Sequence, residues 1–245
     1  MIRFTDNISE LSAVVNDALG CRIVAAKEAY PNEEFAQCWI SDGGKIAVGK
    51  LDAAITVAFC GEPDAEELEE LKLFLSIVGG QSVLMPYVEG FEIEGFSFVK
   101  EGRVMIPNNE MSVCDEAVAE PQVREAFLLI SECFGGFGGD AAYADLSHRC
   151  RHGQRRIRGL ANENGTLTAC AITMAETATS AVMGGVCSDP KLRGKGYATR
   201  VVKHLSRELL DENKAVFLFA ATKMVPFYEK MGFGRSMKWA EYQVK

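Results

Sequence analysis

Residues that could do chemistry gather first between positions 186 and 198. The segment reads Val186, Cys187, Ser188, Asp189, Pro190, Lys191, Leu192, Arg193, Gly194, Lys195, Gly196, Tyr197, Ala198. An apolar strand breaks at Asp189-Pro190, a glycine-containing loop follows, and an amphipathic helix begins. A helix N-terminus presents unpaired N–H groups and the positive end of a dipole. Gly194 and Gly196 let the backbone approach an anion closely, and Arg193 and Lys195 add positive charge. The chemistry this suits is the binding of a pyrophosphate.

A second cluster is basic. Residues 148–158 include His148, Arg149, Arg151, His152, Arg155, Arg156 and Arg158, in a chain of net charge −8. Guanidinium groups grip oxyanions bidentately, so Arg149, Arg151 or Arg155 is expected to hold a carboxylate or phosphate of a substrate. The plainer alternative is a solvated helix end whose arginines answer the dipole. Their spacing forbids all of them pointing one way, so at most two should line a pocket. His148 and His152 stand at i and i+4, a spacing that can hold a metal, but no third ligand suggests itself and no metal is expected. His204 reads as an inert surface position and Cys187 as packing.

The elements around these residues are legible from periodicity. Glu120-Pro121 opens a helix whose apolar positions are Val123, Phe127, Leu128 and Ile130, ended by the glycines from Gly135. A shorter helix is expected over 141–149. Strands are expected over 156–161, 166–174 and 180–187, with Asn164-Gly165 as a hairpin turn. The helix after Gly196 buries Ala198, Val201, Val202, Leu205 and Leu209. Residues 215–220 suit a strand buried on both faces. A short helix over 226–230 and a last strand over 235–242 follow. The N-terminal half repeats this order more weakly: a helix over 9–19, strands over 35–41, 45–50 and 54–59, a helix from Asp64 to Val78, and a strand over 82–85. Phe91-Glu92-Ile93-Glu94-Gly95-Phe96 echoes Tyr228-Glu229-Lys230-Met231-Gly232-Phe233, which points to duplication. The boundary is expected near Ile106-Pro107-Asn108-Asn109.

Composition narrows the classes. The 245 residues are 48% apolar and 24% charged, enough for two globular domains. No apolar run would span a bilayer and the N-terminus lacks a signal-peptide layout, so a cytoplasmic protein without a membrane partner is expected. The eight cysteines form no Cys-x-x-Cys pair and read as buried thiols. The acidic balance argues against nucleic acid as a partner.

Arg193-Gly194-Lys195-Gly196-Tyr197-Ala198 resembles the Arg/Gln-x-x-Gly-x-Gly/Ala signature of the GCN5-related N-acetyltransferase superfamily. Tyr228-Glu229-Lys230-Met231-Gly232-Phe233 resembles that superfamily's second recurrent segment. The resemblance implies an α/β chain of the α+β type, with two tandem acyl-CoA N-acyltransferase-like domains, each a mixed, mostly antiparallel sheet flanked by helices. Residues 1–106 would be a degenerate copy, because Gly61-Glu62-Pro63-Asp64 stands where the cradle should be, and residues 110–245 the acetyltransferase domain. The implied reaction moves an acetyl or other short acyl group from acetyl-CoA, or a related acyl-CoA, to a primary amine by direct attack. Gly194, Lys195, Gly196, Tyr197 and Ala198, with Arg193, would hold the pyrophosphate, and backbone groups at Val186 and Ser188 the pantetheine arm. Tyr228 would be the general acid. The chain departs from the pattern at Ala221, where an Asn is common, and in having no acid between Ser180 and Ser188. The base is left open among Glu176, Asp145, His148 and a water chain. A small-molecule amine, acidic if the arginines bind it, is the expected acceptor, and a homodimer stays open. The rival reading is a non-catalytic acyl-CoA sensor or interaction module.

Overall fold

The computed structural model describes residues 1–108, 115–136 and 139–245. They divide into two compact units: Met1–Met105 with Phe219–Pro226 and Arg235–Lys245, and Ile106–Leu218 with Phe227–Gly234. The division differs from the contiguous domains 1–106 and 110–245 expected above, because two C-terminal stretches pack with the N-terminal half. No helix among the described residues is long and apolar enough to cross a membrane.

The first unit begins with β1 (Ile2–Phe4) and α1 (Ala18–Ala29). An antiparallel meander follows: β2 (Ala36–Ser41), β3 (Ile46–Leu51) and β4 (Ala54–Phe59). The crossover helix α2 (Ala65–Ile77) then returns the chain to β5 (Ser82–Pro86), parallel to β4 with Ala54 opposite Ser82. The long strand β6 (Phe96–Pro107), which periodicity did not reveal, comes next.

The expected helix over 9–19 is corrected: a single 3₁₀ turn, Ile8–Leu11, forms there, and the span meets α1 only at Ala18 and Leu19. The true helix α1 starts where the Asp17 carboxylate accepts the N–H groups of Leu19 and Gly20. Most of its residues are buried, so it carries no polar stripe from which a helical period could be read. The start of α2 was legible. Asp64 and Glu67 form a reciprocal capping box.

The second unit contains β7 (Val118–Ala119), α3 (Val123–Phe134), α4 (Gly139–Arg151), β8 (Ile157–Ala161), β9 (Leu167–Glu176) and β10 (Ser180–Ser188). α5 (Tyr197–Asp211) crosses to β11 (Ala215–Ala221), parallel to β10. The order meander, helix, parallel strand is that of the first unit. α6 (Val225–Glu229) precedes β12 (Phe233–Val244). Both echo segments lead into a twelve-residue strand that opens on phenylalanine, Phe96 or Phe233. β12 pairs antiparallel with β5, Trp239 opposite Pro86, and completes the first unit's sheet in the order β1-β2-β3-β4-β5-β12-β6. The second unit's order is β11-β10-β9-β8-β7. Its core under α3 gathers Ala126, Leu129, Ile130, Leu146, Ile157 and Ile172, with Cys170 and Cys187.

Candidate active site

β10 changes character along its length. Ser180 to Met183 are fully buried and pair with β11 from Ser180/Ala215 to Met183/Leu218. The parallel ladder ends there while β10 continues to Ser188, and Gly184, Gly185 and Val186 are only half-buried. Against β9 the register jumps from Gly184/Ile172 to Cys187/Cys170, so Gly185 and Val186 together face Ala171. Such a bulge re-aims backbone groups, and strands near active sites often carry one. Gly185 sits at φ +56°, a conformation that a side chain would strain. On the side away from β9, the backbone of Gly184, Gly185 and Val186 therefore continues past the end of the β11 ladder and is presented there.

Beyond β10 the Asp189 carboxylate accepts the Lys191 N–H and closes a short turn. Gly194 and Gly196 follow at φ +80° and +79°. Gly196 is the N-cap of α5, and no side chain caps the helix. A Cβ on either glycine would meet nothing within 4 Å. The loop thus offers open space in front of uncapped helical N–H groups, with exposed Arg193 and Lys195 beside them. Tyr197 and Ala198 start the helix itself. One turn on, Arg200 forms an ion pair with Asp115, and Nδ1 of His204 accepts the Asp115 N–H at 3.1 Å. His204 therefore ties down the chain ahead of β7, a role its surface position did not suggest.

Tyr228 lies in α6 with 7% of its surface exposed, its ring edge-on to Phe227 and Phe233 at 5.2 and 5.7 Å. Its hydroxyl has no hydrogen-bond partner among the described residues. Burial pushes its pKa up to about 12, so the phenol keeps its proton.

The arginines do not converge as a clamp. Arg149 is fully buried. Arg151 is exposed and bonds to Ser147 of its own helix. Arg155 is buried, paired with Asp145 at 2.8 Å and donating to the Met174 carbonyl at 3.0 Å. Arg155, expected to hold an acceptor's oxyanion, thus already meets a carboxylate and a carbonyl of the protein. Arg156 joins Glu176, Glu208 and Glu212, and Arg158 joins Glu208. Lys214 completes this network through Glu176 and Glu212. Burial alone would lower the Arg156 pKa, but its bonds to Glu212 and Glu176 outweigh burial and raise it. The Arg156 bond holds Glu212 down at about 2.

Two of the base candidates, Glu176 and Asp145, are thus committed to ion pairs. The rings of His148 and His152 lie tilted against each other with centroids 4.5 Å apart. The Sγ of Cys187 lies 3.5 Å from that of Cys170, and this contact together with burial raises the Cys187 pKa. A thiol held neutral in this way is no nucleophile.

A bulged strand released from its parallel neighbour, followed by an uncapped glycine cradle, is matched at the level of sequence. Residues 123–233 match the sequence profile of the acetyltransferase (GNAT) family. These residues form a GNAT domain. No curated protein sequence matches the chain. Among solved structures, a Drosophila protein is similar over 100% of this chain and 98% of its own, with TM-score 0.72 and 12% identity. A GCN5-related N-acetyltransferase from Kribbella flavida is similar over 95% of each chain, with TM-score 0.61 and 12% identity. A tandem GNAT protein from the clavulanic acid biosynthesis pathway is similar over 99% of this chain and 98% of its own, with TM-score 0.58 and 12% identity. At these identities the likeness is one of fold. It extends beyond residues 123–233 to the N-terminal half, and the last of these structures is a tandem GNAT protein.

Proposed function

We propose that the GNAT domain transfers an acetyl or other short acyl group from acyl-CoA to a primary amine by direct attack. The observation that carries this is the open cradle at Gly194 and Gly196 before the uncapped helix α5, reached along the free stretch of β10. The pyrophosphate would meet the N–H groups at the start of α5, with Arg193 and Lys195 beside it. The pantetheine arm would run back along Ser188 and Val186, and a backbone N–H at the bulge would polarise the thioester carbonyl. Tyr228 would donate to the departing thiolate. Burial holds the phenol's pKa well above that of a thiol, so full proton transfer to the thiolate is uphill. Tyr228 therefore acts mainly by donating a hydrogen bond to the leaving sulfur. With Glu176 and Asp145 held in ion pairs, the amine's proton passes to His148 or to a water chain.

The second reading, an acyl-CoA sensor without turnover, is favoured by the same two committed carboxylates and by the lack of an acid on β10. Release of free thiol from acetyl-CoA, measured against a panel of primary amines, separates the two. Turnover with any amine supports the enzyme. Tight acetyl-CoA binding without thiol release across the panel supports the sensor.

A further inference from the structure

The half-buried stretch Gly184–Val186 does not lie open alone. The other half-buried interior position on this part of the sheet is Met174 of β9. The β9–β10 register passes from Ala175/Val182 to Thr173/Met183, which leaves Met174 as an extra residue in β9. Its side chain turns onto Gly184: a Cβ added there would lie 2.5 Å from Met174 Cγ and 3.3 Å from Sδ. A Cβ on Gly185 would lie 3.0 Å from Ile172 Cγ1 and 3.1 Å from Ile130 Cδ1. The backbone presented at the bulge is therefore backed by three apolar side chains in direct contact with it.

Met174 is also held. Its carbonyl, displaced from the ladder by the bulge, accepts the Nε–H of Arg155 at 3.0 Å, and Asp145 of α4 fixes the same guanidinium at 2.8 Å. A buried guanidinium, anchored by Asp145 and directed at one irregular carbonyl, fixes where the bulge sits, and with it the thioether.

We propose that Met174 sets the length of the acyl group accepted, with Ile172 and Ile130 as the fixed wall and Arg155 as the residue that positions it. This inference rests on the donor-site reading above. If acyl-CoA lies along the free edge of β10, its acyl group arrives at Gly184–Val186 and faces Met174. A methionine tolerates small shifts, so the limit is graded, set by how far the thioether can be displaced.

The test is calorimetric titration of the full chain with CoA, acetyl-CoA and hexanoyl-CoA. Wild type should bind CoA and acetyl-CoA comparably and hexanoyl-CoA about tenfold or more weakly, since added methylenes that must displace a packed apolar side chain cost at least that much. Met174→Ala should bring hexanoyl-CoA to within about threefold of acetyl-CoA and leave CoA affinity unchanged, while Met174→Leu keeps the wild-type ratio. Arg155→Lys retains a charge for Asp145 but loses the Nε donor, and should relax the ratio in part. A merely structural Arg155 would lower the melting temperature without moving the ratio. An unchanged acetyl-to-hexanoyl ratio in a folded Met174→Ala variant, or equal affinities already in wild type, overturns the inference while CoA binding still stands. Absence of CoA binding in wild type overturns the donor site as well.

Discussion

At residue 228 a buried phenol meets a reaction that ends on a thiolate. Tyr228→Phe removes only the hydroxyl, which has no hydrogen-bond partner among the described residues, so the fold should survive. Turnover should fall about a hundredfold, the lower end for a positioned acid, with acetyl-CoA affinity nearly unchanged. Full activity in the variant would make Tyr228 a core residue. With its pKa raised to about 12, the phenol stays protonated up to that pH. The pH profile of kcat should therefore show no descending limb from Tyr228 below about pH 10, and the profiles of wild type and Tyr228→Phe should run parallel there. Gly196 makes the complementary case. Gly196→Asp places a carboxylate in open space before the helix N-terminus at a backbone angle that disfavours it, and CoA binding by calorimetry should be lost. The place of the glycines ahead of α5 was legible because a loop between strand and helix keeps its signal in consecutive residues. The partners of Arg155 were not legible because Asp145 and the Met174 carbonyl lie ten and nineteen positions away along the chain. A run of arginines shows charge but not what the charge meets.

Elements were legible to the extent that their signals are local. The Asp64 cap, the Asn164-Gly165 turn and the apolar stripe of α5 each need only a few neighbouring residues, and each element stands within a residue or two of its expected place. α1 was misplaced because burial on most of its surface removes the stripe, although Asp17 marks its start. The extra residue at Met174 left no trace, since a bulge is a property of two strands read together. The network that joins β8 and β9 to α5 gives a test at this scale. Arg156 and Arg158 stand two apart and both meet Glu208, as strand alternation requires, whereas Arg155 turns to Asp145. Arg156→Ala should cost about 2–3 kcal/mol in denaturant unfolding, because Lys214 still answers Glu176 and Arg158 still answers Glu208. The folded pKa of Glu212 lies below its ordinary value of 4.5, so its contribution is present above that value. It is lost as pH falls from there towards about 2. The gap between wild type and Arg156→Ala should narrow over that window. A gap independent of pH would remove Glu212 from the account.

For the molecule as a whole, the two units share an order of elements but differ at the N-terminus of their crossover helices. In the second unit the start of α5 is uncapped and open. In the first, the Asp64 carboxylate accepts the Glu67 N–H, the Glu67 carboxylate accepts the Asp64 N–H, and Lys45 pairs with Glu67. The groups that would meet a phosphate are occupied and the local charge is acidic, so titration should find one CoA per chain; two would overturn the degeneracy of the first unit. That unit is also not a stretch of chain that can be cut out. Residues 235–245 supply Trp239, Ala240 and Tyr242 to its interior. The Tyr242 hydroxyl donates to the Phe91 carbonyl at 3.1 Å, and the Val244 and Lys245 N–H groups bond to Gln81 and Gly95. Losing two buried aromatic side chains costs about 3–5 kcal/mol each. That sum is comparable to the total stability of an ordinary domain, about 5–15 kcal/mol. It would also leave the edge of β5 without its partner strand. A fragment of residues 1–106 should therefore show no cooperative thermal transition, and deleting 235–245 from the full chain should have the same effect on the first unit. Joining 235–245 to the end of 1–106 through a flexible glycine-serine linker should restore a cooperative transition, because the missing strand returns with its side chains. If the bare fragment melts cooperatively with native near-ultraviolet dichroism, β12 is dispensable to that core and the division of the chain into these units does not describe how it folds.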